Sequence, residues 1–186
     1  MCEAKYKMSI NLQVLNHLGL NLYSNTSAVL SEVVANAWDA DATQVDIKIS
    51  GDTITITDNG NGMDLSDINH KYLTVGYQKR SESAFSPVLH RPVMGRKGIG
   101  KLSLFSIANV VEVFSHKNGE TNGFKIDTDS LRKAIATNDE YYPTELSTDG
   151  IDLEGNGTKI ILSNLKKKRT AALATHLRQR LARRFA

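Results

Sequence analysis

Residues 26–63 read TSAVLSEVVANAWDADATQVDIKISGDTITITDNGNGM, and the hydrophobic period changes twice within them. Residues 26–40 carry apolar side chains at helical spacing, with Thr26 or Ser27 placed to cap the helix. From 44 to 50 the period becomes two: Val45, Ile47 and Ile49 share one face, Asp46 and Lys48 the other. That is a half-buried strand. Ser50-Gly51-Asp52 makes a turn, and 53–57 (TITIT) alternates again, so the two strands form a hairpin. The glycines of 58–63 (DNGNGM) stop the strand in a tight turn.

Two polar features stand out. Glu32, Asn36 and Asp39 recur at i, i+4 and i+7, which puts them on one face of the helix, while Leu30, Val33, Val34 and Ala37 point elsewhere. Taken alone, a solvated face explains that stripe. Period two also places Asp58 on the same strand face as Ile54 and Ile56, at the strand end. A carboxylate beside buried isoleucines is costly unless a donor meets it, and the exocyclic amine of a purine would serve. An Asx cap before the glycine turn is the other reading. Gly60 and Gly62 would let a flat ring approach the backbone.

Outward from this segment, 8–20 read as a short helix or arm and 65–75 as a helix ending near Gly76. Residues 79–99, with Pro87 and Pro92, read as a long loop of the kind that carries function. A helix over 100–108, strands at 109–116 and 122–127, a small helix at 129–136 and a loop at 137–156 follow. The last strand is 158–163, and a basic helix spans 168–185. The order predicts an α/β sandwich with helices on one face of a mixed sheet.

The chain has 186 residues, 40% apolar and 23% charged, which suits one globular domain. One cysteine, Cys2, excludes an internal disulfide and a cysteine-based zinc cluster. His17, His70, His90, His116 and His176 show no metal spacing. No apolar run is long enough for a membrane span and the N-terminus lacks a secretory core, so no membrane partner and a cytoplasmic location are expected. The net charge of +3 is uneven: residues 166–186 hold eight Lys/Arg and no acid, and the other 165 residues are net −5. The basic balance belongs to the tail and is weak evidence for nucleic-acid binding. Leu173, Leu177, Leu181 and Phe185 stripe that tail, a face expected to pack against a following domain, with a membrane-surface or nucleic-acid helix as the alternative.

Residues 95–105 (GRKGIGKLSLF) bring three glycines and two lysines to a helix start, where backbone N–H groups attract phosphate. Leu102 occupies the place where a Walker A loop has Ser or Thr, and no clear strand precedes, so neither common phosphate motif applies. In order, however, SEVVANAWDADAT, DNGNGM, GRKGIGKLSLFSIANVVEVFSHKNG and GNGTKIIL resemble the four motifs of the GHKL ATPases (gyrase, heat-shock chaperones, histidine kinases and MutL) over residues 20–165. The lid and final strand look most like the chaperones, and NAWDADAT like the MutL and Microrchidia-like branches. The resemblance implies the Bergerat α/β sandwich.

It also implies residue roles. Glu32 matches the general base, Asn36 the Mg²⁺ ligand and Asp58 the carboxylate that reads the adenine amine. Gly60, Gly62 and Met63 would line the base pocket. Gly95, Gly98, Ile99, Gly100 and Lys101 would wrap the triphosphate. Thr158 would support Asp58, and Asp39, with Asp41, would lie at the pocket mouth. Lys79 matches a position often basic in the Microrchidia-like branch. Lys101 departs from the family, whose lid often has an aromatic there.

The implied activity is Mg²⁺-dependent ATP binding and slow hydrolysis that drive lid closure and homodimerisation of a larger protein. The implied organisation is an arm (1–20), an ATP-binding domain (21–165) and a basic helix (166–186) leading to a further domain, with a protein client or DNA engaged elsewhere. A nucleotide-gated binding module without turnover, a DNA-associated repair, defence or chromatin ATPase, and a basic-tailed nucleic-acid protein with a degenerate pocket are the alternatives. A histidine kinase is disfavoured: Glu32 is the hydrolytic base, and no phosphoacceptor helix precedes.

Overall fold

The computed structural model describes residues 4–8, 25–74, 84–94, 100–137, 140–166 and 173–185, with only the backbone of Gly100 and Lys101. Most of the expected arm, Cys2, His17, Lys79, Gly95, Gly98, Ile99 and the first residues of the tail helix lie outside that set.

Helix α1 (Thr26–Asp39) is capped by Asn25, not by Thr26 or Ser27 as expected. Ser27 is spent as a donor: its N–H and its hydroxyl reach Asn25 Oδ1 at 2.9 and 2.7 Å. Strands β1 (Val45–Ser50) and β2 (Thr53–Asp58) form the expected hairpin, with the inward side of β2 filled by Ile54 and Ile56. The helix expected at 65–75 is a single turn, α2 (Leu65–Asp67), followed by a wider π turn (Ile68–Tyr72). Leu73 N–H closes on Ile68 O at 2.7 Å, and the widened turn lets both fully buried side chains reach the core.

The segment expected as a helix at 100–108 is 3₁₀, Gly100–Ser106. Strands β3 (Ala108–Lys117) and β4 (Glu120–Asp127) form a second hairpin around Asn118-Gly119, both at positive φ, as a two-residue hairpin turn requires. Helix α3 (Thr128–Thr137), the short strand β5 (Thr144–Glu145), strand β6 (Gly157–Leu165) and helix α4 (Leu173–Phe185) complete the fold.

The sheet runs β1-β2-β6-β3-β4-β5, so the last strand in sequence joins the two hairpins. The two-layer α/β architecture is as expected; the mixed sheet resolves into pairings that are all antiparallel among the described residues. The core lies between the sheet (Ile54, Ile56, Val111, Val113, Phe124, Ile126, Leu162) and the helical layer (Val29, Leu30, Val33, Leu104, Leu131). Tyr6, from the N-terminal segment, packs its ring 5.2 Å from that of Phe124.

Helix α4 folds back onto α1, burying Leu173 and Leu177, and Phe185 meets Trp38 at 5.7 Å between ring centroids. Its apolar stripe is therefore used within this chain, where a following domain was expected to take it. Burying each leucine contributes about 1.5–3 kcal/mol, enough to hold a short helix whose own propagation is weak. No helix among the described residues is long and apolar enough to cross a membrane.

Candidate functional site

Asp58 closes β2 opposite Thr158 of β6. Its Oδ1 accepts from Gly60 N–H at 2.9 Å, and the Thr158 backbone N–H also donates to the carboxylate. Burial nevertheless dominates and pushes this carboxyl up to about 6, against the pull of both donors. The group is half-buried, so part of it faces open space. A desolvated carboxylate with free acceptor capacity at the rim of a sheet is poised for an external donor.

The glycine turn beside it leaves no room for side chains. A Cβ on Gly60 would lie 2.8 Å from Ala40 O, at the C-terminal end of α1. At Gly62, φ is +65° and a Cβ would fall 1.9 Å from His116 O. Gly62→Ala is accordingly expected to destabilise the fold by about 2–4 kcal/mol through strain and collision. Urea unfolding checks this, and a change under about 0.5 kcal/mol would mean that the turn relaxes freely.

Beneath the turn sits a residue that the sequence reading missed. Ser115, fully buried on β3, accepts from Met63 N–H at 2.9 Å and donates to Gly157 O at 3.1 Å. Its remaining acceptor site takes the Thr158 hydroxyl at 3.1 Å. The Thr158 side chain thus supports Ser115, while its backbone N–H supports Asp58. Lys117, further along β3, holds the other side of the turn by pairing with Asp64 at 2.9 Å and with Asp67.

The acidic residues at the end of α1 are used on the chain itself. Asp39 is buried and accepts from Met94 N–H at 2.7 Å. Asp41 accepts from Val88 N–H, Leu89 N–H and Asn61 Nδ2 at 2.9, 3.0 and 3.0 Å. Burial alone would raise Asp41, but these donors and the Ser86 hydroxyl outweigh it and hold the carboxyl at about 2. Together the two aspartates tie residues 84–94, which lead into the glycine-rich stretch, to the end of α1. Trp38 adds to the tie: its Nε1 donates to Pro92 O at 3.2 Å, and the Arg91 guanidinium lies 4.3 Å from its ring centre.

Glu32 and Asn36 sit one turn apart on α1, both half-buried. Glu32 is not free. Arg184 of α4 reaches it, with Nη1 at 2.7 Å from Oε1. Among the described residues no group of three or more His, Cys, Asp or Glu side chains is arranged to hold a metal ion. A groove of about 640 Å³ lies between the start of α1 and α4 and is lined by Asn25, Ser27, His176 and arginines, apart from the Asp58 turn.

Residues 23–158 match the family described as histidine kinase-, DNA gyrase B- and HSP90-like ATPases. Over its whole length the chain is 46% identical to a putative type II restriction enzyme, HgiDII, of Herpetosiphon aurantiacus, covering 30% of that protein. It is 31% identical to the chaperone protein HtpG of Pseudoalteromonas translucida, over 81% of this chain and 25% of the chaperone. It is 28% identical to the HtpG of Francisella tularensis, over 100% of this chain and 32% of the chaperone. The chain spans about a third or less of the length of these curated relatives.

Proposed function

The chain belongs to the histidine kinase-, DNA gyrase B- and HSP90-like ATPases, and from that membership we propose that it binds ATP with Mg²⁺ and hydrolyses it slowly. Family membership supports ATP binding; hydrolysis, lid closure, ATP-linked homodimerisation and the arm, domain and tail boundaries are parts of the proposal. The observation that carries it is Asp58, a desolvated carboxylate beside a turn whose glycines exclude any side chain. An adenine amine donating to Asp58 would use the acceptor capacity that Gly60 and Thr158 leave, with Gly60, Gly62 and Met63 against the base.

Glu32 would take the proton of the attacking water, the general-base role in an otherwise electrostatic transfer. Asn36 offers one amide oxygen, which fits Mg²⁺, a cation that keeps most of its shell as water and phosphate oxygens. Mg²⁺, when bound, would neutralise phosphate charge. Gly95, Gly98, Ile99, Gly100 and Lys101 would wrap the phosphates, and the anchored root at 84–94 would let that stretch close over them.

Titration of Asp58 gives a test with a definite sign. The ionised form accepts the amine, and its pKa near 6 means that it protonates as pH falls through 6. Affinity for ATP should therefore hold from pH 8 to 7 and fall about fourfold by pH 5.5 and about tenfold by pH 5. Calorimetric titrations across that range measure it. A flat profile from pH 8 to 5, or no binding at pH 7.5, would sink the assignment of Asp58 to the ligand.

The likeness over the full chain to a putative restriction enzyme, at higher identity than the chaperones, favours a defence role over a chaperone one. DNA that raises ATP turnover in a salt-dependent way would support it. Turnover stimulated by unfolded protein and indifferent to DNA would oppose it.

A further inference from the structure

We propose that Arg184 is a positioning residue for Glu32, so that helix α4 sets how well the base is aimed; this rests on the reading of Glu32 given above. The two residues are 152 positions apart, yet Arg184 Nη1 donates to Glu32 Oε1 at 2.7 Å. The same nitrogen lies 3.2 Å from Ser31 Oγ and 3.4 Å from Ser31 O. Acceptors on two consecutive residues of α1 thus fix the guanidinium. The paired side chains are 26% and 27% exposed, which shields the pair more than an open surface pair and still admits water.

An untethered glutamate on a helix samples several staggered rotamers. Tethering one oxygen confines the other, and a base works only from the right place. The geometry leaves the second oxygen unclaimed by Arg184. The contact runs from one nitrogen to one oxygen, without the two-pronged fork that engages both carboxylate oxygens.

The helix that delivers Arg184 is well anchored. Leu173 and Leu177 are buried, and Phe185 leans on Trp38. Trp38 in turn holds Pro92 and Arg91, in the segment that leads into the glycine-rich stretch. One packed unit therefore supports both the base and the root of that stretch.

Steady-state ATP hydrolysis by wild type, Arg184→Ala, Arg184→Lys, Arg183→Ala and Glu32→Ala tests this. Arg183 is the exposed neighbour and controls for helix charge. Arg184→Ala should lower kcat about ten- to hundredfold and leave KM within about threefold. Arg184→Lys, a single-point donor, should recover most of the loss, and Arg183→Ala should match wild type. In a Glu32→Ala background, Arg184→Ala should cost nothing more.

A kcat for Arg184→Ala at or above wild type overturns the proposal. So does an equal loss in Arg183→Ala, or a raised KM with lowered thermal stability that Lys does not rescue. If Glu32→Ala turns over like wild type, or wild type does not turn over, the base reading itself fails and takes this inference with it. If Glu32→Ala is dead and Arg184→Ala fully active, only this inference falls.

Discussion

Asp58→Asn is expected to weaken ATP binding at least about a hundredfold at pH 7.5, near 2.7 kcal/mol. The carboxylate has two oxygens that serve N–H donors at Gly60 and Thr158 and keep capacity toward the open side. The amide has one oxygen and an NH₂. Whichever way it turns, a donor faces a donor, either at the turn or at the adenine amine. Leaving a desolvated polar group unpaired, together with losing a charge-assisted bond, is the costly kind of change. Calorimetry measures the affinity.

Thermal unfolding of the same variant separates ligand from scaffold. A carboxyl raised to about 6 is bound by protons more tightly in the folded than in the unfolded state. It stabilises the fold below its unfolded pKa, and that contribution is lost as pH rises to 6. Removing this charge should leave the midpoint at pH 7.5 unchanged or raised. Binding within about threefold of wild type would make Asp58 the cap of its own glycine turn and nothing more.

The second large effect is on turnover. Glu32→Ala should bind ATP about as wild type does and release phosphate about 10²–10⁴-fold more slowly, the usual contribution of a positioned base. Glu32→Gln should be equally slow, since it keeps the shape and loses the basicity. Phosphate release under saturating ATP reads this directly. A Glu32→Gln rate near wild type would mean that Glu32 shapes the site without taking the proton.

Much of this layout is legible in the chain because local rules agree there. Period two in 44–50 and 53–57 fixes the first hairpin and puts Asp58 on the face of Ile54 and Ile56, where the structure has it. The strands expected at 109–116 and 122–127 also form, as a hairpin whose Asn118-Gly119 turn only the structure identified. Local reasoning fails where neighbours compete: Asn25, Thr26 and Ser27 can all cap, and the hydrogen bonds of Ser27 decide for Asn25. It fails again at 68–72, where burial of Ile68 and Leu73 widens a helix that its pattern would keep regular.

The unread parts of the site are contacts across long stretches of chain. Ser115 looks like any strand serine until β6 is placed beside it, in register with Thr158. The family resemblance puts Asp39 and Asp41 at the pocket mouth, and tertiary structure turns both onto backbone N–H groups of residues 88–94. The pairing of Glu32 with Arg184 has no local sign at all. Only the amphipathic stripe of the tail, once assigned to α1, could have suggested it.

The strand order also sets when this chain can work. β6 lies between β2 and β3, so the two hairpins have no shared sheet until residues 157–165 exist. During synthesis the first four strands must wait as separate hairpins, each marginal on its own, until β6 follows them out. Asp58 meets Thr158, and Ser115 meets Gly157, only at that moment. The Asp58 end of the candidate site is therefore assembled by β6, and nascent chains stopped before it should capture no nucleotide.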